Sequence, residues 1–355
     1  MYGANVAAID GNPEKDYRYI RITDIDDNGY LNDDWKTAKE IDRKYILKDG
    51  DFLFARSGAT AGKTFLYTEK VGKAIYAGYL IKFSPKKNVL NPKYLNNLTQ
   101  LPAYKNWAAL TRGGTAQPNI NAEQYSQYQI PLPPLDVQKS IATECEQIDS
   151  EYQNAEKEIE NSKNQIAEIM AKVQGEEKRL GEIAPYGAER ILYREIAPES
   201  YVSTDNLLQK CEGVKLYDGN PNVESIVKYE KGDILVSNIR PYLKKIWLAD
   251  KDGGCSPDVL VFRIPDKSEV LPKFLYSAMT QDSFFGFMMS KKKGMKMPRG
   301  DKNTIPDYKI PVPPLAEQQQ IVAQISALEE KIAAAKRVMA ECPHKKQEVL
   351  DKWLR

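Results

Sequence analysis

A chain of 355 residues that is 42% hydrophobic and 28% charged can bury two or more cores and does not have the composition of a disordered protein. Its 51 basic and 49 acidic residues nearly cancel. No run approaches the ~18 apolar residues of a membrane span, and the N-terminus lacks the pattern of a secretory signal, so a cytoplasmic location is expected. With His344 as the one histidine and Cys145, Cys211, Cys255 and Cys342 scattered without a CxxC pair, histidine catalysis, a zinc site and a disulfide framework are all disfavoured. No metal and no cofactor is expected.

Residues 17–25 alternate apolar and polar side chains and read as a strand, followed by a turn at Asp27-Asn28-Gly29. Lys48-Asp49-Gly50-Asp51 reads as a turn entering a buried strand at Phe52–Ala55, and residues 74–83 read as one further strand. Asn91-Pro92 begins a short helix, with proline at a tolerated position, and residues 111–121 form a polar loop. Ile130-Pro131-Leu132-Pro133-Pro134-Leu135 then makes a stiff extended corner, because three prolines in six residues fit neither a helix interior nor a central strand.

Beyond that corner the apolar residues Ile141, Cys145, Ile148, Tyr152, Ala155, Ile159 and Ile166 alternate spacings of four and three, apart from a skipped slot at Ser162. This is a heptad seam on a helix of about 40 residues and about 60 Å, with a stop near Gly175. The pattern then starts again. Lys231-Gly232-Asp233-Ile234-Leu235 repeats the earlier turn and strand, Leu271-Pro272 repeats the helix start, and Ile310-Pro311-Val312-Pro313-Pro314-Leu315 repeats the corner 180 positions on. Ile321, Ile325, Leu328, Ile332, Ala335 and Met339 reproduce the seam, and Pro343 is expected to interrupt it. An internal repeat of this length means a duplicated unit. The two seams bury most simply against each other, although each could pack on its own globular unit.

Charge is unevenly spread. Residues 52–134 hold ten basic residues against two acids, Glu69 and Glu123, and residues 291–302 hold six against Asp301. Two basic zones suit an anionic partner, and nucleic acid is the usual one. Ser57-Gly58-Ala59-Thr60-Ala61-Gly62-Lys63-Thr64 approaches a phosphate-binding loop, but serine stands where the first glycine belongs and the second unit lacks the pattern. Neither a methyl-donor loop nor a nuclease cluster of carboxylates and lysine is visible. A binding inventory remains: Arg18, Arg21, Arg56, Lys63, Arg112, Gln117 and Asn119 in the first unit, with Asn238, Arg240, Lys244, Lys245, Lys292, Lys293, Lys296 and Arg299 in the second. Arginine, asparagine and glutamine can read base edges, while lysine and arginine neutralise phosphates.

Along nearly its whole length the chain resembles the specificity subunit of type I restriction–modification enzymes. The carrying stretches are residues 17–26, 48–64, 77–83, 112–121, 180–183, 201–208 and 231–245, with the two corners at 130–141 and 310–321. The resemblance implies an α+β architecture of two repeated mixed α/β target-recognition domains, residues 1–134 and 179–314. Two long helices, residues 135–178 and 315–355, would form an antiparallel coiled coil that spaces the half-sites. It further implies a non-catalytic subunit that binds a bipartite sequence in double-stranded DNA and docks two modification (methyltransferase) subunits and the restriction (endonuclease) subunits. The first unit starts later in the repeat than the second, which leaves two alternatives, a truncated N-terminus or a start at an internal codon. An interaction scaffold that binds no DNA, and a DNA-modifying enzyme with its own cofactor site, are the alternatives.

Overall fold

The computed structural model describes the chain except for residues 114–117, 220, 222, 295–296 and 355. It divides into two compact units that do not follow chain order. The first is Met1–Glu156 with Ala335–Arg355, and the second is Lys157–Ala334. Each unit therefore holds one globular repeat and a portion of both long helices.

The two repeats build the same central sheet. In the first unit Phe52–Ala55 pairs antiparallel with Thr64–Leu66 and Leu80–Phe83, so that Phe52 faces Leu66 and Phe83. In the second, Ile234–Ser237 pairs with Ile246–Leu248 and Val259–Phe262, and Ile234 faces Leu248 and Phe262. Both central strands are buried at all four positions, which is why each reads as an unbroken apolar run. A short parallel pair accompanies each sheet: Arg18–Ile20 with Ala74–Tyr76, and Tyr201–Val202 with Gly253–Cys255. The single strand expected over 74–83 is thus two. Ala77 donates to the Ile20 carbonyl and accepts from Leu80, which breaks the run into two sheets.

Ahead of each central strand a buried aspartate closes the turn. Asp51 accepts from the Lys48 amide, the Lys82 ammonium and the Ser84 hydroxyl. Asp233 accepts from the Glu230 amide and the Arg263 guanidinium. Gly50 (φ 87°) and Gly232 (φ 95°) supply the left-handed step these turns require.

The central helix spans Leu135–Ala171, ending short of the expected residue 178 because Glu176–Arg179 forms a strand paired antiparallel with Lys309–Val312, and the terminal helix spans Leu315–Leu354. Within the first unit they run antiparallel: Glu144 meets Lys352, and Glu151 meets Lys345. The seam at the head of each helix has two sets of neighbours. Ile141 and Cys145 sit with Tyr94, Leu98 and Leu101 of their own repeat and with Leu350 of the terminal helix. Ile321 and Ile325 sit with Phe274 and Leu275 and with Ile166 and Met170 of the central helix. Further along, Ile148, Ala155, Leu328 and Ala335 are buried, while Tyr152, Ile159, Ile166 and Ile332 are half-buried.

Pro343 does not interrupt the terminal helix, contrary to the sequence expectation. An interior proline costs about 3 kcal/mol. Contacts on both sides of it offset that cost. Cys342 is buried with its thiol on the Ile148 and Val338 carbonyls, Lys346 reaches Asp149 at 2.6 Å, Leu350 is buried, and the Trp353 indole donates to Glu144.

One side chain in each unit ties the repeat to its helix. Gln138, fully buried, accepts from the Asn91 amide and donates to the carbonyls of Val89 and Pro133. Gln318, also fully buried, accepts from the Leu271 amide and donates to the carbonyls of Glu269 and Pro313. Replacing either with leucine strands one amide and two carbonyls away from water. Each orphaned group costs about 1–3 kcal/mol when it cannot rehydrate. Gln138→Leu and Gln318→Leu should each lower the thermal midpoint by roughly 6–12 °C, at about 3 kcal/mol apiece. Gln319→Leu, on the exposed neighbour, should leave the midpoint unchanged in the same scan.

Candidate nucleic-acid interface

The basic residues of each repeat are gathered by one recurring connection. In the first unit the loop after the central strand is bridged to the polar loop: Ser57 pairs with Asn119, Gly58 donates to the Pro118 carbonyl, and Ile120 donates to the Arg56 carbonyl. In the second, Ile239 pairs with Arg299 and Arg240 donates to the Pro298 carbonyl. Main-chain bonds thus hold two sequence-distant loops side by side in each repeat, and the side chains they carry differ between the repeats.

In the first unit Arg56 is the best-presented cation. Its guanidinium lies over the Tyr2 ring at 4.8 Å from the centroid, and its Nε donates to Asn119 at 3.4 Å. The terminal nitrogens of its fork keep the geometry that a bidentate acceptor pair requires. Arg112 ends the helix Pro102–Thr111 close to the same loops. Lys63 is engaged by Asp27 at 3.0 Å and the Ile25 carbonyl at 3.2 Å. Arg18 and Arg21 stand apart from these loops. Arg21 clamps Asp24, which is 1% exposed, at 2.5 Å and Asp34 at 2.8 Å, and the hydrogen bond to Asp24 raises its pKa. Arg18 donates to the Asn32 carbonyl, and burial lowers its pKa.

In the second unit Arg240, Lys292, Lys293 and Arg299 are exposed. Lys293 and Arg299 exchange backbone bonds across their loop, and their side chains pair with Asp301 and Asp258. Arg240 and Lys244 both adopt left-handed backbone (φ 51° and 50°) on either side of the turn Pro241–Leu243. Such non-glycine positions cost about 1–3 kcal/mol and cluster at functional loops. Lys244 pairs with Asp282. Lys245 donates to the Thr204 carbonyl, and burial lowers its pKa. Asn238 is buried, its amide carbonyl has no hydrogen-bond partner, and its backbone joins the two loops through Asp258 and Gly300. Gln117 and Lys296 lie outside the described residues.

Sequence reasoning passed over Tyr2, which supports Arg56, and the exposed Tyr79, whose carbonyl accepts from the Arg56 amide. No spacing rule marks either residue, because the contact is made in space. Removing Arg21 leaves Asp24 buried without its cation, so Arg21→Ala should destabilise the chain by about 2 kcal/mol. Arg240→Ala and Lys292→Ala should change stability by less than about 0.5 kcal/mol in the same denaturant titration.

The comparisons with known proteins agree with this duplicated plan. The model of the type I restriction modification DNA specificity domain matches twice, over residues 8–162 and 172–341. A putative type I restriction enzyme specificity subunit, MjaX, of Methanocaldococcus jannaschii is 25% identical over 94% of this chain and 85% of its own length. The EcoDI specificity subunit of Escherichia coli is 31% identical over a stretch covering 28% of this chain and only 22% of that protein. Among solved structures, the S subunit of a type I restriction–modification system from M. genitalium shares the fold, with a TM-score of 0.53 at 15% identity over 98% of this chain and 93% of that one. A chain solved in work on complex assembly and conformational transition of the type I R-M system also scores 0.53, at 17% identity over 100% and 95%. Two copies of the specificity domain occupy nearly all of this chain, which belongs to the type I restriction–modification DNA specificity family.

Proposed function

We propose that the chain reads a bipartite target in double-stranded DNA, one half through each repeat, and does no chemistry of its own. The observation that carries this is the duplicated loop-to-loop bridge, Ser57 with Asn119 and Ile239 with Arg299, which presents a separate basic loop pair on each repeat. Arg56 in the first and Arg240, Lys292 and Arg299 in the second are the leading contacts, with Lys293 and Arg112 beside them. Lys244, Lys245 and Asn238 support the second repeat's loops from behind, Arg18 and Arg21 brace the segment 21–34 of the first, and Lys63 lies beside the first repeat's loop, paired with Asp27.

The recognition domains are residues 1–134 and 179–314, and the two helices form an antiparallel coiled coil that acts as the spacer. The ion pairs Glu144–Lys352 and Glu151–Lys345 in the first unit, and the Glu158–Lys331 contact in the second, support that pairing. Methyl transfer and cleavage fall to partners: two modification subunits docked on the helices and neighbouring surfaces, and restriction subunits that join them in the cytoplasm. This subunit needs no cofactor.

Co-expression with the modification subunits should yield a complex that methylates a split motif across a host genome, and deleting this chain should abolish that methylation. Because basic loops release counterions, the affinity of the complex should fall steeply over a fourfold rise in salt. Methylation of a continuous motif, or of the same motif without this chain, would overturn the proposal.

A further inference from the structure

A cavity of about 180 Å³ opens beside the loop 57–63 of the first unit, between that loop and the helix Pro102–Thr111. Three cations line it: Lys63, Lys105 and Arg112. Asp27, also on its wall, already holds Lys63 at 3.0 Å. Lys105, an exposed residue, and Arg112, a half-buried one, form no salt bridge among the described residues; partial desolvation lowers the pKa of Lys105 against the raising pull of Asp27 and Asp26. With three cations against Asp27 on its wall, the cavity carries a surplus of positive charge.

The second repeat shows where the space comes from. The helices Pro102–Thr111 and Asp282–Ser290 begin after Leu101 and Gln281, so Lys105, Ala108, Ala109 and Arg112 correspond to Phe285, Met288, Met289 and Lys292. Phe285 and Met288 are 2% and 0% exposed and fill the core of their repeat. The first repeat has a lysine and an alanine at these two positions. Its cavity is thus carved at positions that the same fold fills with large apolar side chains, and one of those positions has become a cation.

We propose that this cavity holds a DNA backbone phosphate flanking the half-site read by the first repeat. Lys105 and Arg112 donate to its non-bridging oxygens, and Lys63 completes the wall. The inference rests on the DNA-reading function proposed above. Lysine supplies a point charge and arginine a planar fork, the two complementary ways of holding a phosphate. The small walls at Ala108 and Ala109 admit a tetrahedral group. A contact of this kind fixes register and carries no sequence information.

The test uses the chain assembled with its modification subunits, on duplexes with and without the target, across a fourfold salt range. Lys105→Gln/Arg112→Gln should weaken binding about tenfold on both duplexes and make the logarithmic salt slope shallower by about one, with the methylated motif unchanged. Ala109→Met, which narrows the cavity without removing charge, should weaken binding in the same sequence-independent way. A second arm titrates inorganic phosphate onto the DNA-free chain, followed by phosphorus NMR. Loss of phosphate binding in the double variant with an unchanged DNA salt slope would assign the cavity to a free anion and overturn the proposal. A changed motif would make these residues base readers and overturn it as well. Failure of the unaltered complex to bind DNA would instead sink the proposed function.

Discussion

The structure depends on a buried glutamine used twice. Gln138 and Gln318 each join the start of a long helix, the carbonyl of a proline corner and the first turn of a short helix in the adjoining repeat. Both side chains are sealed from water, so these bonds cannot be exchanged for hydration without opening the junction. Prolines stiffen the chain leading into the helix. The glutamine side chain takes up the carbonyl of Pro133 or Pro313 and thereby fixes how each repeat meets its helix.

Beyond that junction the helices rely on a mixed seam. At its head the stripe serves both a globular repeat and the partner helix, as Ile141 and Ile321 show. Farther along it narrows to alanine at 155 and 335, and to Ser162 and Cys342, all buried. Small residues thus occupy equivalent points of both stripes, and the flanking carboxylate–lysine pairs add direction more than stability. Packing of Cys342, Leu350 and Trp353 holds the last turns against the first unit, which is how a helix can pass through Pro343.

The duplication, the corners, the turn before each central strand and most of the seam were legible in the sequence, because they follow from periodicity and from residues with restricted backbones. The glutamine junction was not, although Gln138 and Gln318 lie 180 positions apart inside repeated stretches. A polar residue on a helix looks the same whether it is solvated or buried, and only tertiary neighbours decide. Side-chain roles failed to show for the same reason. Arg21 and Arg56 are alike in the chain, yet one is tied to Asp24 and Asp34 and the other rests on Tyr2 beside Asn119. Pro343 misled because the local penalty of about 3 kcal/mol is smaller than the packing around it.

In the proposed reading, base recognition and the scaffold that carries it belong to different parts of each repeat. The main-chain bridges and the buried glutamine are common to both, while the side chains on the bridged loops are not. That division allows the sequence read to change without disturbing the scaffold. Its most direct test is to exchange residues 1–134 for the matching segment of a relative with another target and to map methylated bases across the genome. One half of the split motif should change while the other half and the spacing stay fixed. A change in both halves, or in the spacing alone, would contradict the account.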